Sequence, residues 1–284
     1  MKTYHELIKE SESLTAQQDV SISAIKLLMY ELTQEKTIDL YLDYHKEADK
    51  DIATRFQAGI ERLIKQEPLA YILGYQWFYG RKLMVNEDVF IPRYETEELC
   101  ANVLERIDAF FSDYQVITLA DVACGSGAIA ITLSAEEKKL KTYAVELNDK
   151  TLAIAKANAT NNDVDITFYT GDMLQPLITN NIKLDILVSN PPYISTNESL
   201  DRSVVDYEPN MALFGGEDGL KFYRIILTDA KKILNDKAMM AFEIGYQQKE
   251  DLISLVNSLY PGQKVEVIKD LNGKDRMLFV YINL

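Results

Sequence analysis

Val116-Ile117-Thr118-Leu119-Ala120-Asp121-Val122-Ala123-Cys124-Gly125-Ser126-Gly127-Ala128-Ile129-Ala130-Ile131-Thr132-Leu133 reads as strand, glycine loop and helix in immediate succession. The apolar, β-branched run to Val122 is the pattern of a buried strand, and the run from Ala128 has helical character. Glycines between the two let the backbone approach a ligand closely, at a helix N-terminus whose free N–H groups favour negative charge. The spacing of Gly125, Gly127 and Ala130 also meets the dinucleotide fingerprint, so the loop alone leaves the ligand open. A second strand, Thr142-Tyr143-Ala144-Val145, ends at Glu146. An acidic side chain about 20 residues after such a loop accepts hydrogen bonds from both ribose hydroxyls. A nucleoside-bearing cofactor is the expectation.

The acidic residues decide which cofactor. Asp121 stands one residue before the loop Ala123-Cys124-Gly125-Ser126-Gly127. A carboxylate there suits a pyrophosphate poorly and, directly or through water, the ammonium of a methionine moiety well, so S-adenosylmethionine fits better than NAD. A third strand, Asp165-Ile166-Thr167-Phe168-Tyr169, leads to Gly171-Asp172-Met173. Asp172 is read either as an acceptor for an adenine amine or as a turn or helix cap, and Met173 as packing on the ring. A fourth, Leu184-Asp185-Ile186-Leu187-Val188, leads to Asn190-Pro191-Pro192-Tyr193. One side-chain carbonyl followed by two prolines, which have no N–H, makes a rigid cluster of acceptors. It suits a planar NH₂ group, in an amide or in adenine, with Tyr193 lying against the plane.

From about residue 93 strands and helices alternate, which predicts a mainly parallel sheet covered by helices on both faces. Ligands of open α/β sheets sit beyond the carboxyl ends of the strands, where the four loops would converge. Residues 1–72 carry helical stripes instead: Ile25, Leu28, Met29 and Leu32, then Ile52, Phe56, Ile60 and Leu63. The β-prone runs between, Gln76 to Tyr79 and Leu83 to Val85, suggest a hairpin linker over 73–92, with Trp77 read as packing rather than substrate surface. The expected division is a helical bundle over 1–72, the linker, and a catalytic domain over 93–284.

The 284 residues carry a net charge of −14, which argues against sequence-independent binding to a phosphate backbone. Residues 1–70 hold 13 acidic and 9 basic side chains, so the excess is not confined to a tail. No direct nucleic-acid binding is expected. No apolar run of about 18 residues and no hydrophobic leader appear, so no membrane association and a cytoplasmic location are expected. Cys100 and Cys124 offer neither a disulfide framework nor metal-site spacing, and no metal is expected. Both histidines, His5 and His45, fall in the helical region, so the chemistry has to proceed without a histidine base.

Further motifs run along the chain: Glu67-Pro68-Leu69-Ala70-Tyr71-Ile72-Leu73-Gly74, Phe78-Tyr79-Gly80, Phe90-Ile91-Pro92-Arg93-Tyr94-Glu95-Thr96-Glu97, Tyr207-Glu208-Pro209, Ala212 to Leu220, Phe242-Glu243-Ile244-Gly245 and Asp270 to Arg276. Together with Asn190 to Tyr193 they resemble the HemK/PrmC family of protein-glutamine N5-methyltransferases. The resemblance implies a seven-stranded, Rossmann-like S-adenosylmethionine-dependent methyltransferase domain behind a small all-α bundle that recognises peptide chain release factors. It implies methylation of the glutamine in the Gly-Gly-Gln motif of class I release factors, with S-adenosylhomocysteine as product. Asn190, Pro191, Pro192 and Tyr193 would bind and orient the substrate amide. Asp121, Ala123 to Gly127, Glu146, Asp172, Met173 and Asn190 would hold the cofactor. Methylation of a ribosomal-protein glutamine, and adenine methylation well behind it, are the alternatives. Two positions depart from the pattern: Tyr94 stands where the family has proline, and Ala123 where it has glycine. Ala123 is expected to be barred from φ > 0.

Overall fold

The computed structural model describes residues 2–199 and 201–284, and the chain divides into two compact units. The first runs to Tyr75 and includes the short segment that carries α10 (Arg202–Val205) and ends at Tyr207. Its helices are α1 (Tyr4–Thr15), α2 (Ile22–Gln34), α3 (Leu40–Asp43), α4 (Lys50–Ile64) and α5 (Leu69–Leu73). Their starts are written locally. Thr3 and Glu6 form a reciprocal capping box on α1, and the side chains of Ser21, Asp39 and Asp49 accept first-turn N–H groups of α2, α3 and α4. The two stripes, Ile25 to Leu32 and Ile52 to Leu63, meet in one core with Tyr4, Leu7 and Ile8. The Tyr207 hydroxyl donates to the Lys65 carbonyl at 2.6 Å within this unit.

The second unit, Gln76–Ser199 and Glu208–Leu284, holds the sheet. A hairpin of β1 (Tyr75–Phe78) and β2 (Arg81–Met84) turns at Tyr79 and Gly80, both with positive φ, the twist that a two-residue hairpin turn prefers. Trp77 on this hairpin remains 47% exposed, so packing accounts for only about half of its surface. Then follow α6 (Tyr94–Phe110), β3 (Ile117–Val122), α7 (Ala128–Glu136), β4 (Leu140–Glu146), α8 (Asp149–Asn161), β5 (Ile166–Thr170), α9 (Gln175–Thr179) and β6 (Leu184–Ser189). Past α10 the chain continues through α11 (Lys221–Ala230), β7 (Leu234–Glu243), α12 (Lys249–Leu259), β8 (Lys264–Lys269) and β9 (Asp275–Ile282).

The seven-stranded sheet has the order β5-β4-β3-β6-β7-β9-β8. β3 to β7 are parallel, whereas β9 runs antiparallel to both β7 and β8. Both faces are covered, which is why the central strands read as unbroken apolar runs. Ala120 and Val122 of β3, with Met240 and Phe242 of β7, face a core shared with Tyr223, Ile226, Leu252 and Val256 of α11 and α12. Their alternates, Ile117, Leu119, Met239 and Ala241, face Leu99, Val103 and Ile107 of α6 and Ile131 of α7. The chain leaves β3 outward to β4 and β5, then returns to β6 on the other side of β3. That reversal opens a crevice at the carboxyl ends of β3 and β6. Among the described residues no helix is long and apolar enough to cross a membrane.

Candidate active site

A cleft in the second unit occupies this crevice. Ala123 to Ser126 after β3, Glu146 after β4, Met173 after β5 and Asn190 to Tyr193 after β6 all line it. Three sequence-predicted residues do not. Gly127 caps α7 behind the wall, Asp172 turns its side chain to solvent, and Asp121 lies wholly buried beneath the loop.

The loop is built on left-handed residues: Ala123, Gly125 and Gly127 have φ of 58°, 54° and 81°. Ala123 is thus not barred from φ > 0, contrary to expectation; the fold imposes that conformation on it. A residue with a Cβ is strained there by about 1–2 kcal/mol. Ala123→Gly is expected to raise the unfolding free energy by about 1 kcal/mol, the relief of strain being partly offset by the freer unfolded chain. Denaturant unfolding with an unchanged m-value is the check, and a midpoint no higher than wild type would show the strain to be absent. Tyr94, the other departure, is the first residue of α6 and 70% exposed.

Both Glu146 oxygens are held by backbone, one accepting from Gly125 N–H at 3.1 Å and the other from Asn148 N–H at 3.0 Å. The carboxylate therefore faces the cleft in one orientation. Asp121 Oδ2 accepts from Ala130 N–H at 3.0 Å, so it caps the first turn of α7, whose own cap residue, Gly127, has no side chain to offer. Asp121 Oδ1 has no hydrogen-bond partner. Burial, assisted by nearby Glu146 and opposed by the Ala130 N–H, pushes the Asp121 carboxyl up to about 7.

The sign of that shift makes a prediction. The folded chain holds this proton more tightly than the unfolded one, so the contribution to stability is fully present below the ordinary aspartate range. It is lost as pH rises from about 4 through about 7, about 4 kcal/mol over the window. Asp121→Asn removes the titration. Unfolding free energies at about pH 5 and about pH 8 are expected to fall more steeply for wild type than for the variant, and equal slopes would contradict the assignment.

Asn190 closes β6 with its side-chain N–H₂ donating to Thr96 Oγ1 at 3.2 Å. The Tyr193 hydroxyl donates to Glu243 Oε1 at 3.2 Å, and burial together with the adjacent Glu243 charge raises the Tyr193 pKa. The Tyr193 carbonyl accepts from Gln248 Nε2 at 2.9 Å, and Gln248 Oε1 in turn accepts from Gly245 N–H at 2.9 Å. Ile194 N–H donates to Leu213 and Gly215 N–H donates to Ile194, so the segment after Tyr193 is bonded to Leu213–Gly215. Glu208, almost wholly buried, forms an ion pair with Arg93 and accepts from Ile91 N–H at 3.2 Å. It pins the stretch that brings Pro209, Met211 and Leu213 to the cleft wall onto the Phe90 to Arg93 segment. Thr96, Glu243 and Arg276 entered the sequence reading only as members of quoted motifs, with no role assigned to their side chains, and Gln248 did not enter it; the one local signal was an acidic residue, Glu243, ending a buried apolar strand.

The described residues contain no group of three or more His, Cys, Asp or Glu side chains able to hold a metal. Both cysteines are buried, and burial raises both thiol pKa values.

Residues 6–74 match the PrmC N-terminal domain, and residues 104–206 the methyltransferase small domain. The release factor glutamine methyltransferase of Bacillus anthracis is 40% identical, over 99% of this chain and 100% of its own length. That of Bacillus subtilis is 39% identical, over 100% of this chain and 99% of its own. A crystal structure of a methyltransferase from Pyrococcus furiosus superposes with a TM-score of 0.51 at 15% identity, covering 78% of this chain and 96% of that one, a likeness of fold alone.

Proposed function

The chain belongs to the release factor glutamine methyltransferase family, and on that premise we propose that its cleft methylates the side-chain nitrogen (N5) of the Gly-Gly-Gln glutamine of class I release factors, with S-adenosylmethionine as donor. The observation that carries the reading is the acceptor group Asn190-Pro191-Pro192-Tyr193 meeting the glycine loop and Glu146 on one cleft wall.

The residues present fit that donor. Glu146 offers lone pairs suited to ribose hydroxyls, and Met173, Phe90 and Leu147 add apolar wall. Asp121, with an unpartnered buried oxygen beneath the loop, offers an acceptor that a nearby ammonium would favour in its ionised form. The first turn of α7, with Ala128 and Ile129 on the wall, suits a carboxylate. When bound, S-adenosylmethionine supplies a methyl group on a cationic sulfur, electrophilic enough for a neutral amide nitrogen.

The remaining work falls to positioning and electrostatics. A carboxamide nitrogen is a poor nucleophile because its lone pair is delocalised into the carbonyl. The Asn190 side-chain oxygen and the Pro191 carbonyl accept the two substrate N–H groups, fixing the nitrogen and stabilising the positive charge that grows on it. Pro191 and Pro192 contribute no competing N–H donor. Tyr193 walls the amide plane, and its hydroxyl is committed to Glu243. The proton leaves to water after transfer, so no histidine base is required. The helical unit supplies contacts remote from the reacting atom, which select one glutamine among the many on protein surfaces.

The test is a competition with labelled methyl donor among purified release factor, ribosomal protein and DNA. Label is expected in the release factor. Preferential labelling of ribosomal protein or DNA would overturn the assignment.

A further inference from the structure

Thr96, on the first turn of α6, places a buried hydroxyl between two groups that compete for it. Glu243 Oε2, at the carboxyl end of β7, lies 2.6 Å from Thr96 Oγ1, and the Asn190 side-chain nitrogen lies 3.2 Å from the same oxygen. The other Glu243 oxygen accepts a hydrogen bond from the Tyr193 hydroxyl. Arg276 donates to the Tyr193 oxygen at 3.4 Å and to the Ile244 carbonyl at 3.3 Å, and is itself held by Asp270 at 3.3 Å. Stretches of chain far apart in sequence thus end in one hydrogen-bonded chain: Asp270, Arg276, Tyr193, Glu243, Thr96, Asn190.

That chain has a direction. A threonine hydroxyl carries a single proton, and a carboxylate is acceptor-only. Thr96 must therefore give its proton to Glu243 and show Asn190 lone pairs alone. A carboxamide facing lone pairs turns its NH₂ toward them, which leaves its oxygen for the cleft that Asn190 lines. The reversed carboxamide would present NH₂ to the NH₂ of a substrate, two donors with no acceptor between them.

We propose that Thr96 and Glu243 are positioning residues that fix which end of the Asn190 carboxamide faces the cleft. The proposal rests on reading Asn190 as the acceptor of the substrate amide. Thr96 borders the cleft and Glu243 lies outside its lining; both act through Asn190, and the Tyr193 hydroxyl is set by the same carboxylate.

Thr96→Val keeps the shape and removes the hydroxyl, while Thr96→Ser keeps the hydroxyl. Losing an orienting group that acts in the transition state commonly costs tenfold or more, so kcat on release factor is expected to fall about 30-fold in Thr96→Val. The KM for release factor and the affinity for S-adenosylhomocysteine should stay within about threefold, and Thr96→Ser should return to within about threefold of wild-type kcat. Wild-type kcat in Thr96→Val, or equal losses in both variants, overturns the proposal. So does a fall in S-adenosylhomocysteine affinity parallel to the fall in kcat, which would mark a merely structural role.

A second readout needs neither acceptor protein nor a variant at Thr96. In nitrogen-15 spectra of the intact chain, the Asn190 side-chain N–H₂ pair is identified by its disappearance in Asn190→Asp. One of its protons is expected to exchange slowly with solvent. Fast exchange of both overturns the positioning role even if the release factor assignment holds, and slow exchange supports it even if that assignment fails.

Discussion

Asn190→Ala is expected to lower methyl transfer by about 100-fold or more while leaving the protein folded, because it deletes an acceptor rather than core volume. Asn190 follows the last residue of β6 and is only half-buried, and the one hydrogen bond its side chain makes among the described residues is to the Thr96 hydroxyl. A hundredfold loss corresponds to about 3 kcal/mol of barrier, the scale of one pre-organised charge-stabilising contact. S-adenosylhomocysteine affinity should fall much less, since the glycine loop and Glu146 remain. Calorimetry beside steady-state rates separates the two, and a rate within a few-fold of wild type would remove Asn190 from the chemistry.

Gly219→Ala is expected to be as damaging to transfer, and to stability as well. Gly219 has φ of 73°, and a Cβ built on it falls 2.2 Å from the Tyr193 carbonyl oxygen and 2.5 Å from Gln248 Nε2. Gln248 is the residue that donates to that carbonyl, so the methyl group would displace both partners of the bond that holds Tyr193. Left-handed strain of about 1–2 kcal/mol adds to overpacking of about 1–3 kcal/mol, for an expected loss of about 3 kcal/mol. Gly262→Ala is the control: its φ is 82°, but nothing lies within 4 Å of the added Cβ. It should cost about 1 kcal/mol and leave transfer unchanged. If Gly219→Ala loses no more activity than the control, Gly219 does not position the Asn190 to Tyr193 turn.

The parallel core of the sheet was legible because each of its strands is a short apolar run ending in a punctuated loop. β3, β4, β5 and β6 lie within two or three residues of their expected positions, and the loops after them meet because parallel strands put like ends together. The antiparallel β8 and β9 carried no comparable signal; they were implied only by resemblance. Asp121 was read as a partner for an ammonium because it stands next to the glycine loop in sequence. In three dimensions the last residues of β3 are buried on both faces, and its carboxylate turns under the loop to cap α7. The Thr96, Glu243 and Tyr193 cluster was invisible for a different reason. Its hydrogen bonds join residues 147 and 50 positions apart, and such pairs leave no periodicity in a single sequence. The grouping of the α10 segment with the helical unit is equally non-local. One practical consequence is that deleting residues 1–72 also removes the surroundings of Tyr207, whose hydroxyl donates to Lys65, so truncation is a poor test of what the bundle contributes.

The central claim is that this cleft delivers a methyl group to one carboxamide nitrogen held by Asn190. Its most direct test is to incubate the intact chain with S-adenosylmethionine and unmodified full-length release factor, then locate the product by fragmentation mass spectrometry. Wild type should add one methyl group to the side-chain nitrogen of the Gly-Gly-Gln glutamine, and Asn190→Ala should add it at least about 100-fold more slowly. A methyl group on any other residue, or one on that glutamine at an undiminished rate in Asn190→Ala, would contradict it.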